Sequence, residues 1–449
     1  MIDMKNSSVK VMTSGNYRKQ IIAYALPIFI GYLFQQMYNT ADALIVGNLV
    51  GSNALAAVTS VGSITFLLVG FFMGFATGAS VIVARLVGSD KAEEAHRAVE
   101  TTIAFGIITG IAMTVLGVFL SPYILKWIGT PEEIMPLADT YLRIYFAGSF
   151  SLIMYNMCVS VLQAGGDAKH PLYYLVISSI INVILDVLFI SVFHMGVAGA
   201  ATATIISETI SMILSLVQLI REPGIIHVSL KELMLDKDVL KDIIRYGLPT
   251  GLQSCVIDFA NVLIQSYINS FGAAAVAGIG AYSKVEGFAF LPVTSFSSTL
   301  TTYVSQNMGA HKDERTRKGI WFGLLTALAI IEAIGLFIYF NAETLISFFV
   351  QDPDVIAYGA ARAHVVALFF FLCGFSHIIS AVLRGLGKPV MPMLVMMICW
   401  CAVRVITLMT IGKVVHDIRL AYWLYPITWT ISSIVYIYWI AHEPVFRKK

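Results

Sequence analysis

Apolar residues along this chain come in long unbroken blocks. They do not follow the alternating or 3.6-residue pattern of a protein with one wet face. Runs of roughly 20 or more apolar residues, long enough to span a hydrocarbon core as a helix, recur from end to end. They predict twelve helices, over 18–46, 53–86, 95–121, 133–163, 170–193, 196–220, 240–270, 273–308, 316–340, 354–386, 389–412 and 419–441. Several exceed what a bilayer needs, which predicts tilt or extension beyond it. Short polar links separate them: "GSDKAEEAHR", "GGDAKHP", "GAHKDERTRK" and "GLGKP". The longest link, 221–239, has mixed charge and falls near the middle.

Composition agrees with the pattern. The chain has 449 residues, 58% hydrophobic and 12% charged, whereas a soluble domain carries about 25% charged residues. The mean hydropathy is +0.80. A net charge of +2 argues against nucleic acid as a partner. Residues 1–19 are polar and the first apolar stretch is longer than a signal-peptide core, so it is expected to remain as a spanning helix. All five cysteines, Cys158, Cys255, Cys373, Cys399 and Cys401, lie in apolar segments, and no disulfide framework is visible. Cys399 and Cys401, two apart, point to different sides of a helix and make a poor metal pair.

Charge placement predicts orientation. With a cytoplasmic N-terminus, 22 of the 29 Lys and Arg fall in the two tails and the inner loops, against Lys126, Lys413 and Arg419 in the outer loops. This is a strong positive-inside bias and places both termini and 221–239 in the cytoplasm of a multi-pass plasma-membrane protein.

The halves also repeat. "IIAYALP" at 21–27 returns as "IIRYGLP" at 243–249, and "VLQAGGDAKHP" at 161–171 as "VLRGLGKPVMP" at 382–392. Gly88, Lys91, Glu93 and Pro131 recur as Gly309, Lys312, Glu314 and Pro353. The expected fold is therefore an all-α polytopic membrane protein with twelve transmembrane helices in two pseudo-symmetric six-helix bundles around a central cleft. The N-terminal lobe is 1–220, the cytoplasmic linker 221–239 and the C-terminal lobe 240–449. Each half has an even number of helices, so the pseudo-axis runs along the membrane normal. Two such lobes suggest alternating access.

Polar residues inside the spans point to the chemistry. By rise per residue, Asp42 in the first helix, Asp186 in the fifth and Thr202 in the sixth share a depth, each roughly 7–12 Å from an outer helix end. Asn182 and Asp186, at i and i+4, share a face. Gln35, Tyr38, Asn39 and Asp42 share an arc of the first helix. An intramembrane Asp costs roughly 2.5–3.5 kcal/mol to insert and marks function by default. Two of them close together must share a proton or hold a cation. Oxygen-only donors at Asp42, Asn182, Asp186 and Thr202 suit H⁺ or Na⁺ and not a transition metal.

Further polar groups in the spans are candidates for a substrate cleft: Gln35, Tyr38, Asn39, Asn156, Gln253, Asp258, Asn261, Gln265, Lys284 and Glu286. Lys284 and Glu286 are expected near Asp258. Arg143 and Arg362 are expected at the outer interface and Glu332 as the partner of Arg404, while Glu208 has no evident partner. Pro27, in the helix that carries Asp42, is a candidate hinge.

"LP" early in the first and seventh helices, "ADALIVGNLVG", "INVILDVLFI" and "GVAGAATAT" together resemble the multidrug and toxic compound extrusion (MATE) transporters. Within them the chain is most similar to the prokaryotic, DNA-damage-inducible-like branch. The resemblance implies a cation site at Asp42, Asn182, Asp186, the backbone carbonyl of Ala198, and Thr202. It also implies bending of the first helix as that site changes occupancy. Another branch has a Glu in the seventh helix where this chain has Ile257, next to Asp258, which departs from the pattern.

The expected function is a secondary antiporter. It exports organic compounds, often cationic or amphipathic, in exchange for H⁺ or Na⁺, without a cofactor and as a monomer in the bilayer. A lipid-linked oligosaccharide flippase of the same superfamily is the alternative; such proteins line the cleft with several cationic residues, and the first lobe here shows Asp. An enzyme is disfavoured: there is no HExxH or GxSxG, and "GLGK" runs into Pro389 without the rest of a phosphate-binding loop.

Overall fold

The computed structural model describes residues 10–50 and 52–447. The side chains of 43–44, 47–48, 52–56, 59–60, 63–64 and 66 are not described. Lys5, Lys448 and Lys449, counted in the charge bias, lie outside the described residues.

Among the described residues all regular structure is helical. The first half contains α1 (Tyr17–Leu49), α2 (Ser52–Gly88), α3 (Ala92–Trp127), α4 (Met135–Ala147), α5 (Ser149–Ala164), α6 (Lys169–Val187) and α7 (Gly196–Arg221). The second contains α8 (Lys237–Asn269), α9 (Ala273–Ala289), α10 (Leu291–Gly309), α11 (Asp313–Phe340), α12 (Ala342–Ser347), α13 (Pro353–Val366), α14 (Phe370–Gly385), α15 (Val390–Val395), α16 (Val403–Val414) and α17 (Ile418–His442). Nine segments among the described residues are long and apolar enough to cross a bilayer, and the pair α4–α5, bent by 45°, makes a tenth. The helix α8 and the pair α9–α10 occupy the two remaining predicted stretches and are more polar.

Several predicted helices are interrupted. The stretch 133–163 bends at Gly148, and 273–308 divides at Phe290. A 3₁₀ turn at Ala367–Phe369 separates α13 from α14, and a π-helical segment, Met396–Ala402, joins α15 to α16. Hydropathy sees only an apolar stretch, and such breaks are set by packing against neighbours.

The repeat is visible in the backbone. Asp90 and His311, at matching positions, both adopt left-handed conformations with φ of 57° and 54°. Behind them Lys91 N–H donates to Leu86 O and Lys312 N–H to Asn307 O, at 3.2 and 2.9 Å. Gly166 and Gly387, with φ of 89° and 86°, close α5 and α14 in the same way. Asp167 N–H reaches Leu162 O and Lys388 N–H reaches Leu383 O, both at 2.9 Å. These bonds satisfy the last carbonyls of each helix, and glycine adopts the required φ without strain.

The compact units do not coincide with the halves read from the repeat. One comprises residues up to Met12 together with Leu26–Gly251, the other Thr13–Ala25 with Leu252–Lys449. α1 and α8 each divide between the units, next to Pro27 and Pro249.

In the first unit, Gly74 and Gly78 of α2 meet Gly247 and Gly251 of α8. A Cβ on Gly74 would lie 2.2 Å from Gly251 N, and one on Gly78 2.5 Å from Gly247 N. Two G-x-x-x-G pairs let the backbones touch, the usual way for helices to pack without a hydrophobic drive. A core of Val83, Ile103, Leu162 and Leu219 also takes in Ile226 and Val228, so the linker 221–239 is docked on this unit and not free.

In the second unit, Ser295 Oγ donates to Ala25 O at 2.6 Å and Tyr24 Oη to Thr302 Oγ1 at 3.5 Å. The Arg315 guanidinium holds the carbonyls of Gly15 and Ser14 at 2.7 and 3.0 Å, and the Gln20 side chain at 2.6 Å.

Candidate functional site

Three elements of the first unit bring the predicted polar groups together. The part of α1 after Pro27 carries Asp42, α6 carries Asn182 and Asp186, and α7 carries Ala198 and Thr202. Asn182 and Asp186 sit on the inner face of α6, at 1% and 0% exposure. The turn after Asp186 loosens into a π-helix, Leu188–Val192, a distortion that recurs at functional sites. Asp42 is half-buried.

The Asp42 and Asp186 carboxyl groups face each other between α1 and α6. Asp42 Oδ1, both Asp186 oxygens, and both Asn182 Oδ1 and Nδ2 are buried without a hydrogen-bond donor or acceptor among the described residues. An unmade hydrogen bond costs about 1–3 kcal/mol, and more for a charged group. Five such atoms on neighbouring residues are not a packing arrangement that stabilises the fold. Thr202 Oγ1 donates to Ala198 O at 2.7 Å, which fixes the hydroxyl and leaves the lone pairs of the Thr202 oxygen to accept.

The site is larger than the sequence reading. Tyr38 lies within electrostatic reach of Asp42 and Glu208, and Tyr141 of Asp42, Glu208 and Asp186. Tyr145 and Tyr155 also face Glu208. Glu208, left without a partner above, therefore faces tyrosines from α1, α4 and α5. Its presence inside an apolar span was the available signal; the tyrosines, ordinary in such a span, gave none. Gln35 is half-buried, and Asn39 is exposed. The Asn156 amide turns back to Leu152 O at 2.8 Å.

The second unit corrects two expected pairings. Glu286 does not pair with Asp258 or Lys284: its Oε2 accepts from Arg362 Nη2 at 3.2 Å. Lys284 is exposed and Asp258 half-buried, where Asp258 faces the Cys255 thiol. Arg362 is 5% exposed, and its guanidinium also lies over the rings of Tyr282 and Tyr425. Arg404 does not meet Glu332. It donates from Nε to Thr428 Oγ1 at 3.1 Å and stacks on Trp400 and Tyr425, while Glu332 Oε2 accepts from Phe371 N–H. Sequence reading paired charges by depth, and aromatic faces were the competing partners. Gln253 is buried between Ser380 and Arg384, Gln265 bonds Asn269, and Asn261 is exposed.

The sequence profile of the MatE family matches twice, over residues 27–188 and 249–410, one match per repeat. A protein named "Probable multidrug resistance protein YpnP" from Bacillus subtilis (strain 168) is 29% identical over 87% of this chain and 88% of its own length. A "FAD transporter" from Shewanella oneidensis is 26% identical over 95% of each chain. A solved structure described as the outward-facing conformation of a multidrug resistance MATE family transporter of the MOP superfamily superposes with a TM-score of 0.89, at 23% identity, over 97% of this chain and 98% of the other. Two profile matches, each beginning at a proline within a long helix, cover most of a chain built of membrane-spanning helices. The chain belongs to the MatE family and is a multi-pass membrane transporter of the multidrug efflux type, not an enzyme.

Proposed function

We propose that this chain is a secondary antiporter that exports organic compounds by alternating access of two lobes, driven by inward movement of H⁺ or Na⁺ through Asp42 and Asp186. The observation that carries the reading is the pair of carboxyl groups within reach of each other, with neighbouring oxygens left without donors. Two carboxylates in a low dielectric cannot both stay charged and uncompensated. A shared proton answers that, and so does a Na⁺ ligated by Asp42, Asn182, Asp186, Thr202 and the Ala198 carbonyl. A cation that bound equally well in both lobe orientations would drive nothing, so the site must be remade during the cycle. Pro27 lies in the helix that carries Asp42, and bending there displaces Asp42 from Asp186. Both termini are proposed to be cytoplasmic on the charge bias, with a monomer as the working unit.

The test is efflux of a fluorescent cation from proteoliposomes under separate H⁺ and Na⁺ gradients. One gradient should drive wild-type efflux, and Asp42→Asn and Asp186→Asn should abolish it. Wild-type rates in both variants would end this reading.

A second reading of the cargo, an organic molecule with an anionic group, is favoured by the surplus of positive charge from Arg362 and Arg404 over Glu286 in the second unit. The relative named as a FAD transporter fits that class. Inhibition of dye efflux by FAD, absent with riboflavin, would support it.

A further inference from the structure

A cluster at the start of α3 serves neither the cation site nor the second-unit arginines. His96 and Glu100, at i and i+4, project from one face of α3, and Glu232 approaches from the linker. His96 Nε2 lies 3.1 Å from Glu100 Oε1 and 3.7 Å from Glu232 Oε2. One ligand atom from each residue lies within 4.8 Å of the other two. His227, also from the linker, stacks on the His96 ring with centroids 6.3 Å apart and planes 6° from parallel. Its Nδ1 faces Glu222 O at 3.1 Å, which leaves Nε2 as the free ring nitrogen. Beside the cluster lies a hollow of about 580 Å³, lined by His96 and His227 with Glu93, Arg221 and Glu222.

Glu100 is the informative residue. It is 2% exposed, yet Oε1 makes no well-formed hydrogen bond although His96 Nε2 is only 3.1 Å away. A protonated imidazole would aim N–H at that oxygen. A nitrogen and an oxygen that face each other without a bond are placed as two ligands of one ion are placed. Bonds of about 2.0–2.1 Å to a tetrahedral Zn²⁺ set its ligand atoms roughly 3.3 Å apart, the scale of the two distances here.

We propose that His96, Glu100 and Glu232 form a binding site for a divalent transition-metal ion of the Zn²⁺ class, with His227 able to turn in as a fourth ligand. One imidazole and two carboxylates select such an ion over Mg²⁺ or Ca²⁺, which prefer all-oxygen sets. Two ligands are fixed on a helix and the others come from the linker, so the ion clamps the linker to α3. That contact already exists in weaker form: Asp236 N–H donates to Thr101 Oγ1 at 3.1 Å, and Arg97 lies 3.8 Å from Asp236.

The experiment uses the full chain in detergent, with any affinity tag removed and metal stripped. Titration with Zn²⁺ is followed by calorimetry, and with Co²⁺ by its visible absorption. One equivalent should bind. Glu232→Gln, an exposed position that folding tolerates, and His96→Gln should each weaken binding by about tenfold or more. Zn²⁺ should slow tryptic cleavage at Lys231 in the wild type and not in Glu232→Gln. Absence of stoichiometric binding, or equal binding by wild type and both variants, would overturn the assignment and leave a histidine–carboxylate ion cluster.

Discussion

The two units treat buried charge in opposite ways. In the first, Asp42 and Asp186 face each other, Glu208 faces tyrosine rings, and the oxygens of Asp186 lack any donor among the described residues. In the second, Glu286 meets Arg362 directly, and Arg362 and Arg404 both lie against the Tyr425 ring, 4.8 and 4.4 Å from its centre. A charge compensated by fixed neighbours can stay in the membrane permanently and hold helices together. A charge without such a partner needs a mobile one, and that is what a coupling site requires. Position within the repeat does not decide which role a buried charge takes; its compensation does.

The largest expected effect on stability tests the second unit. Arg362→Met takes from Glu286 its direct partner and should cost about 3–5 kcal/mol. Arg362→Met combined with Glu286→Leu should recover most of it, since a buried pair is often replaceable by apolar groups of similar volume. Thermal melting in detergent reads both. If the single variant melts like the wild type, the pair is not compensating a charge and the contrast fails.

Asp186→Asn should do the reverse in the first unit. It removes a like-charge neighbour, so melting should be unchanged or higher, while gradient-driven efflux disappears. A lower melting temperature by several degrees with efflux intact would make the acidic pair structural.

Glu208→Gln sharpens the comparison further. Its carboxyl faces tyrosines and not Asp186 directly, so a several-fold slower efflux that still needs the ion gradient is expected. Complete loss of coupling would enlarge the cation site to include it. The smallest effect is expected for Asp258→Asn: half-buried and without a charged partner among the described residues, it should transport within about twofold of wild type. A dead Asp258→Asn would move coupling to the second unit and reverse the comparison.

The sequence by itself determined the class, the helical content and the repeat. Apolar length is a local property, and a span must satisfy its backbone internally whatever it packs against. It also determined that Asn182 and Asp186 share a face, because helical spacing alone sets that, and that an acidic residue in such a span needs an explanation. Three things were decided only by the tertiary structure. The first segment of α8 joins the first unit through glycine backbones in contact at Gly74 with Gly251 and Gly78 with Gly247, and that of α1 joins the second through Ser295 and Arg315. The places of Arg362 and Arg404 were set by aromatic rings that hydropathy counts only as apolar. The tyrosines around Glu208 come from three helices, and no spacing along one chain reveals which of many tyrosines will converge. Local pattern fixes which groups are costly in a membrane; which neighbour relieves the cost is a long-range choice made by packing.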